Sequence, residues 1–165
     1  MVSPLNSSLH TCSKTCLPRS NEITGAGGSV FCPILLAAYT IQNLKDVEDQ
    51  APKFGFSPQL EARMARVPLE LENFGISYQR IAPGFRLPWG HTHNVQEEVY
   101  VVVSGSMLAK FGDDIVELKQ WDAVRVPKET MRSFEGGPEG AEVIAAGAPN
   151  TGPGDADVVQ EWWSD

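Results

Sequence analysis

Two histidines stand two residues apart in His91-Thr92-His93, and Glu98 follows close behind. In an extended chain side chains alternate between faces, so residues two apart point the same way. Both imidazoles can then offer a nitrogen to one ion. A strand end can also display two surface histidines for no chemical reason, so the pair alone decides little. Glu98 adds weight, because it opens the β-prone run Val99-Tyr100-Val101-Val102-Val103, where a carboxylate is conspicuous. The step from His93 to Glu98 is odd, so the chain must turn through residues 94–96 before the carboxylate can meet the histidines from a neighbouring strand. Glu97 would then point outward. Two neutral imidazoles and a carboxylate suit Fe(II), Mn(II), Ni(II), Co(II) or Zn(II) and leave positions for water and a substrate. A structural zinc site is the weaker reading, since no cysteine lies nearby.

The elements that must position these residues read as β-structure. Residues 75–81, 98–103, 106–111, 115–118, 123–126, 131–134 and 141–145 are short β-prone runs punctuated by Gly, Pro or Asp, which indicates an all-β sandwich or barrel. Asp113-Asp114 predicts a tight hairpin, and Gly136, Gly137, Pro138 and Gly140 predict another connection. Ser57-Pro58 has the form of a helix start, with Leu60, Met64 and Val67 on one face, although residues 61–67 read nearly as well as a strand. Between Tyr39 and Gly55 an edge strand or a short turn of helix is expected. The tail after Gly147 is rich in Gly, Pro and Asp until Trp162 and Trp163, whose apolar surfaces predict that the chain end returns to cover the barrel.

The chain has 165 residues, enough for one substantial core. The division expected is an N-terminal extension over residues 1–38 and a barrel domain over residues 39–165. Cys12, Cys16 and Cys32 all precede the patterned region, so no disulfide framework holds the barrel. The apolar run at residues 30–38 is too short to span a bilayer as a helix and makes a weak signal peptide. No membrane partner and a cytoplasmic location are therefore expected. A formal charge of -8 leaves little basic surface for a phosphate backbone, so nucleic acid is not an expected partner.

The stretch from Pro83 to Glu135 resembles the two motifs of the cupin superfamily. Gly84, His91, His93, Glu98 and Gly105 match the first motif, with Gly84 one residue farther from the first histidine than the common pattern has it. The resemblance implies a double-stranded β-helix (jelly-roll) barrel, a central metal held by His91, His93 and Glu98, and often a homodimer. The second motif departs from the pattern. Trp121 and Glu129 replace its glycines, and Arg132 stands where the family has a fourth metal ligand, a histidine. A guanidinium has no lone pair to give a metal.

Three readings of Arg132 follow. In the first its charge has reduced the triad to a remnant; in the second it clamps a carboxylate, phosphate or enolate oxygen of a substrate beside the metal; in the third it bridges Glu98. The second is preferred, because the planar guanidinium suits bidentate recognition of an anion. Arg132 shares strand parity with Thr130 and Phe134, which predicts an inward direction. Tyr100 and Val102 share parity with Glu98, so Tyr100 is either a hydrogen-bond donor to substrate or a wall residue. Trp89 reads as a cover for the barrel mouth or a surface aromatic, and Arg125 as half of an exterior ion pair. The function expected is a small-molecule enzyme using a divalent transition metal and an anionic substrate. The alternative is a noncatalytic cupin that binds a small molecule.

Overall fold

The computed structural model describes residues 39–164. Eight antiparallel strands follow in chain order: β1 (Leu60–Met64), β2 (Gly75–Ile81), β3 (Trp89–His93), β4 (Glu97–Phe111), β5 (Asp114–Lys119), β6 (Ala123–Val126), β7 (Arg132–Ala148) and β8 (Ala156–Gln160). The hydrogen-bonded path runs β1-β2-β7-β3-β8, and β4 pairs with β5, β6 and β7. The long strands β4 and β7 lie side by side from Glu97↔Ala148 to Phe111↔Arg132 and form the spine of the curled sheet. The architecture is the expected all-β jelly-roll barrel.

Each spine strand changes inward parity once. Tyr100 and Val102 are buried in the first half of β4, and Met107 and Ala109 in the second. The register shifts between Val102 and Ser104 and between Gly105 and Met107 account for this, because an extra residue in one strand moves every later side chain to the other face. Opposite them, β7 buries Phe134 early and Ala141, Val143 and Ala145 late. Thus the run Gly136-Gly137-Pro138-Glu139-Gly140 does not form the expected connection: it is the bend of one 17-residue strand. Small residues are needed because the backbones nearly touch. Gly105 has φ +72°, and a Cβ there would lie 2.1 Å from the Gly140 carbonyl oxygen.

The expected runs at 98–103 and 106–111 are likewise one strand, and so are those at 131–134 and 141–145. The hairpin between β4 and β5 turns on Gly112-Asp113 and closes with the pair Phe111↔Asp114, one residue earlier than expected. No helix follows Ser57-Pro58. Residues 60–64 form β1, in register with β2 from Leu60↔Ile81 to Met64↔Ser77, because the free edge of β2 satisfies their backbone groups and tertiary pairing overrides the local signal. Short 3-10 helices at Leu44–Asp46 and Ala51–Phe54 occupy the region before it.

The tail behaves as its tryptophans predict. Trp163 is buried, with Arg86 stacked on its ring at 4.6 Å. Trp162 lies so close to Gly90 that a Cβ there would stand 2.6 Å from the indole. Between the Gly-rich stretch and these rings runs β8, an unforeseen strand that pairs with β3 from Trp89↔Gln160 to His93↔Ala156. Among the described residues, no helix is long and apolar enough to cross a membrane. The expectations for residues 1–38, including their cysteines, lie outside the described residues.

Candidate metal centre and cavity

His91 and His93 sit on β3, and Glu98 enters from β4 after the turn through residues 94–96. One ligand atom from each of the three lies within 4.8 Å of the others. His91 Nε2 is 3.8 Å and His93 Nε2 3.4 Å from Glu98 Oε2. The rings meet edge to face, with centroids 5.3 Å apart. Glu97 points outward and pairs with Arg125 on the exposed face, as the parity predicts.

Asp155 orients the second histidine. Its Oδ2 lies 2.9 Å from His93 Nδ1, so the nitrogen that faces Asp155 serves as the donor and Nε2 keeps its lone pair. That Nε2 is buried and has no hydrogen-bond partner. Asp155 also accepts from the backbone amides of Val95 and Gln96, which fixes the turn joining His93 to Glu98. The amide side chains continue the order: Gln96 donates to Glu98 Oε1 at 3.1 Å, and Asn150 donates to Gln96 at 3.0 Å.

Arg132 and Tyr100 both face inward and both end on Glu98. Arg132 is fully buried directly across the β3–β7 ladder from His91, and its Nη2 donates to Glu98 Oε2 at 2.6 Å. Its Nη1 donates to the Thr130 carbonyl at 3.1 Å, while its Nε is buried with no hydrogen-bond partner. The Tyr100 hydroxyl donates to the same Oε2, and its ring stacks obliquely on Phe134 at 4.6 Å. The arrangement is the bridge to Glu98, the third of the readings of Arg132. Trp89 is half-buried against Phe56, with ring centroids 4.8 Å apart, and so joins the core edge.

The electrostatics follow from these contacts. Burial raises the Glu98 carboxyl, but the neighbouring His91 and His93 rings and the hydrogen bonds from Tyr100 and Arg132 outweigh it and hold the group well below the usual carboxylate range. Burial lowers His91 against the opposing effect of Glu98, and the Arg132 charge lowers it further, so the net effect favours the neutral imidazole. Burial, with the negative charge of Glu98 beside it, pushes the Tyr100 phenol well above its ordinary value, so it remains a donor. The donor set therefore fits a divalent transition metal: a neutral imidazole at His91, a buried unpaired Nε2 at His93 and an ionised carboxylate.

A cavity of about 510 Å³ opens beside this centre, lined by His93, Glu98, Gln96 and Asp155 together with Arg66, Ile76, Ser77 and Asn150. Its size is that of a small-molecule site. Sequence reasoning missed Asp155, Gln96, Asn150 and Arg66. The first stands in a stretch whose Gly and Pro content reads as a loose tail, and the others carry no spacing that marks them.

No protein-family model matches the chain, and no curated protein matches it in sequence. Solved structures do resemble it. A cupin protein from Bacteroides fragilis superposes with a TM-score of 0.58 at 15% identity, over 70% of this chain and 88% of that one. Oxalate decarboxylase from Bacillus subtilis gives 0.59 at 20% identity, over 73% of this chain and 32% of that one. A Streptomyces protein solved with uridine, Pac13, gives 0.57 at 14% identity, over 76% and 92%. At these identities the likeness speaks for the fold, and the fold is that of the cupin superfamily.

Proposed function

We propose that this chain is a metal-dependent small-molecule enzyme of cupin type, acting on an anionic oxygen-bearing compound. The observation that carries the reading is the convergence of His91, His93 and Glu98 at the wall of the cavity, with His93 Nε2 buried and unpaired. These three residues would hold the ion, which would supply Lewis acidity toward a substrate oxygen or a bound water. Arg132 and Tyr100 contribute through Glu98: their hydrogen bonds fix the carboxylate and keep it ionised. Two of these neighbours, an oxalate decarboxylase and a protein solved with uridine, support small-molecule chemistry on this fold. A homodimer and a cytoplasmic location belong to the same proposal. The exposed apolar residues Ile115 and Val116 of β5 and Val158 and Val159 of β8 support the dimer.

Elemental analysis of protein purified without chelators tests the reading. Near-stoichiometric transition metal is expected in the wild type, with a sharp loss in His93→Ala that still shows the wild-type far-UV circular dichroism. Substoichiometric metal, unchanged by His93→Ala, would refute it.

A further inference from the structure

Arg66 lines the cavity and Arg132 bonds to Glu98 in its lining, and the two are differently placed. The Arg132 guanidinium is committed to Glu98 and to backbone carbonyls. Arg66 lines the same cavity as Glu98 and His93, and no carboxylate or carbonyl among the described residues receives its side chain; its Nε is buried and has no hydrogen-bond partner. A desolvated guanidinium N–H left without a partner is costly unless something else supplies the acceptor.

The backbone around Arg66 is well anchored. The amide of Ala65, which is fully buried, donates to the Ile76 carbonyl at 2.9 Å, and the Arg66 carbonyl accepts from Leu71 at 3.0 Å. Around the guanidinium the cavity offers apolar surface from Met64, Val67, Ile76 and Pro153. The two acids of the lining are already matched, Glu98 by Arg132 and Asp155 by His93 and two backbone amides. Arg66 is the only lysine or arginine among the lining residues. Apart from an ion at the three ligands, Arg66 is the one unmatched positive charge of the described lining, and the apolar surface there suits a carboxylate on an apolar body.

We infer that Arg66 is the anion-recognition residue of this cavity and that it takes a small monocarboxylate of apolar body. The assignment rests on the cavity being the substrate site of the proposed enzyme, and it moves anion recognition from Arg132 to Arg66.

Phenylacetate is a suitable probe, with phenylacetamide as its uncharged counterpart and inorganic phosphate as the competing anion. The readout is the Nε–H resonance of Arg66 in a ¹H–¹⁵N spectrum, assigned by its disappearance in Arg66→Lys. Phenylacetate should shift that resonance saturably, and phenylacetamide should not. Arg66→Ala should weaken phenylacetate binding about tenfold or more, the loss expected for a charge-assisted hydrogen bond, and Arg66→Lys should restore part of it. Three results overturn the inference: no shift of the resonance by phenylacetate, undiminished binding by Arg66→Ala, or tighter binding of phosphate than of phenylacetate. Metal analysis of the same wild-type sample separates the two readings. Arg66-dependent binding to protein that takes up no metal would keep the anion site and remove the metal enzyme.

Discussion

Asp155 and His93 are 62 positions apart in the chain, yet the Asp155 carboxylate lies 2.9 Å from His93 Nδ1 and turns the other ring nitrogen toward Glu98. The same carboxylate receives the amides of Val95 and Gln96, so one side chain fixes a ligand's tautomer and the turn between two ligands. Outer partners of this kind affect metal affinity nearly as much as the ligands do. Asp155→Ala should therefore weaken metal binding by about ten- to a hundredfold, measured by competition with a chromophoric chelator. Affinity equal to the wild type would mean that His93 is oriented by packing alone.

The bend shared by β4 and β7 should be intolerant of side chains. Gly105 has a positive φ, and its Cβ position falls 2.1 Å from the Gly140 carbonyl oxygen, a backbone atom that cannot swing aside. Gly105→Ala should cost about 2 kcal/mol or more in urea unfolding, from strain and collision together. Gly112→Ala makes a useful control, since it also has a positive φ but meets nothing within 4 Å. It should cost clearly less.

The pairing of β1 with β2 carries an acid-sensitive contact. Arg80 donates to Glu61 at 2.6 Å across the ladder, and this hydrogen bond, with a further contribution from Arg63, lowers the Glu61 carboxyl against a smaller effect of burial. A carboxyl lowered in the folded state gives stability that is present above its unfolded pKa and is lost as pH falls through the folded value. Arg80→Gln should thus destabilise the protein most near neutral pH. Its unfolding curve should converge on that of the wild type as pH falls below the ordinary carboxylate range and through the lowered folded value of Glu61. A difference that is constant across the range would assign the effect to packing of the arginine stem.

Much of this was legible in the residues themselves, for identifiable reasons. The β-run after Glu98 and the two-residue spacing of the histidines rest on strand alternation, a local rule, and both survive folding. The parity of Thr130, Arg132 and Phe134 placed Arg132 inside for the same reason. What failed was non-local. Gly136 to Gly140 has the composition of a turn, but the composition answers to backbone crowding against Gly105 and Ala82, which no local pattern reveals. Residues 60–64 pair because β2 offers an edge. Asp155 gains its role only when β8 returns beside β3, and Arg66 only when folding brings it to the cavity that Glu98 also lines.

The pair Arg132–Glu98 offers the sharpest energetic test of the interior. Arg132 is fully buried and Glu98 mostly so, and the two meet at 2.6 Å. Removing one member of such a pair leaves the other desolvated and unmatched, at a cost of about 3–5 kcal/mol, whereas removing both together costs far less. Arg132→Met should therefore be strongly destabilising in chemical denaturation. Glu98→Gln should cost less than Arg132→Met, because the amide can still accept from Tyr100. The double variant should recover much of the loss seen in Arg132→Met, giving a coupling well outside the roughly 0.5 kcal/mol expected of independent sites. If the two losses simply add, the guanidinium is held by the carbonyls of Thr130, His91 and Lys128 rather than by Glu98, and its place in the barrel is structural.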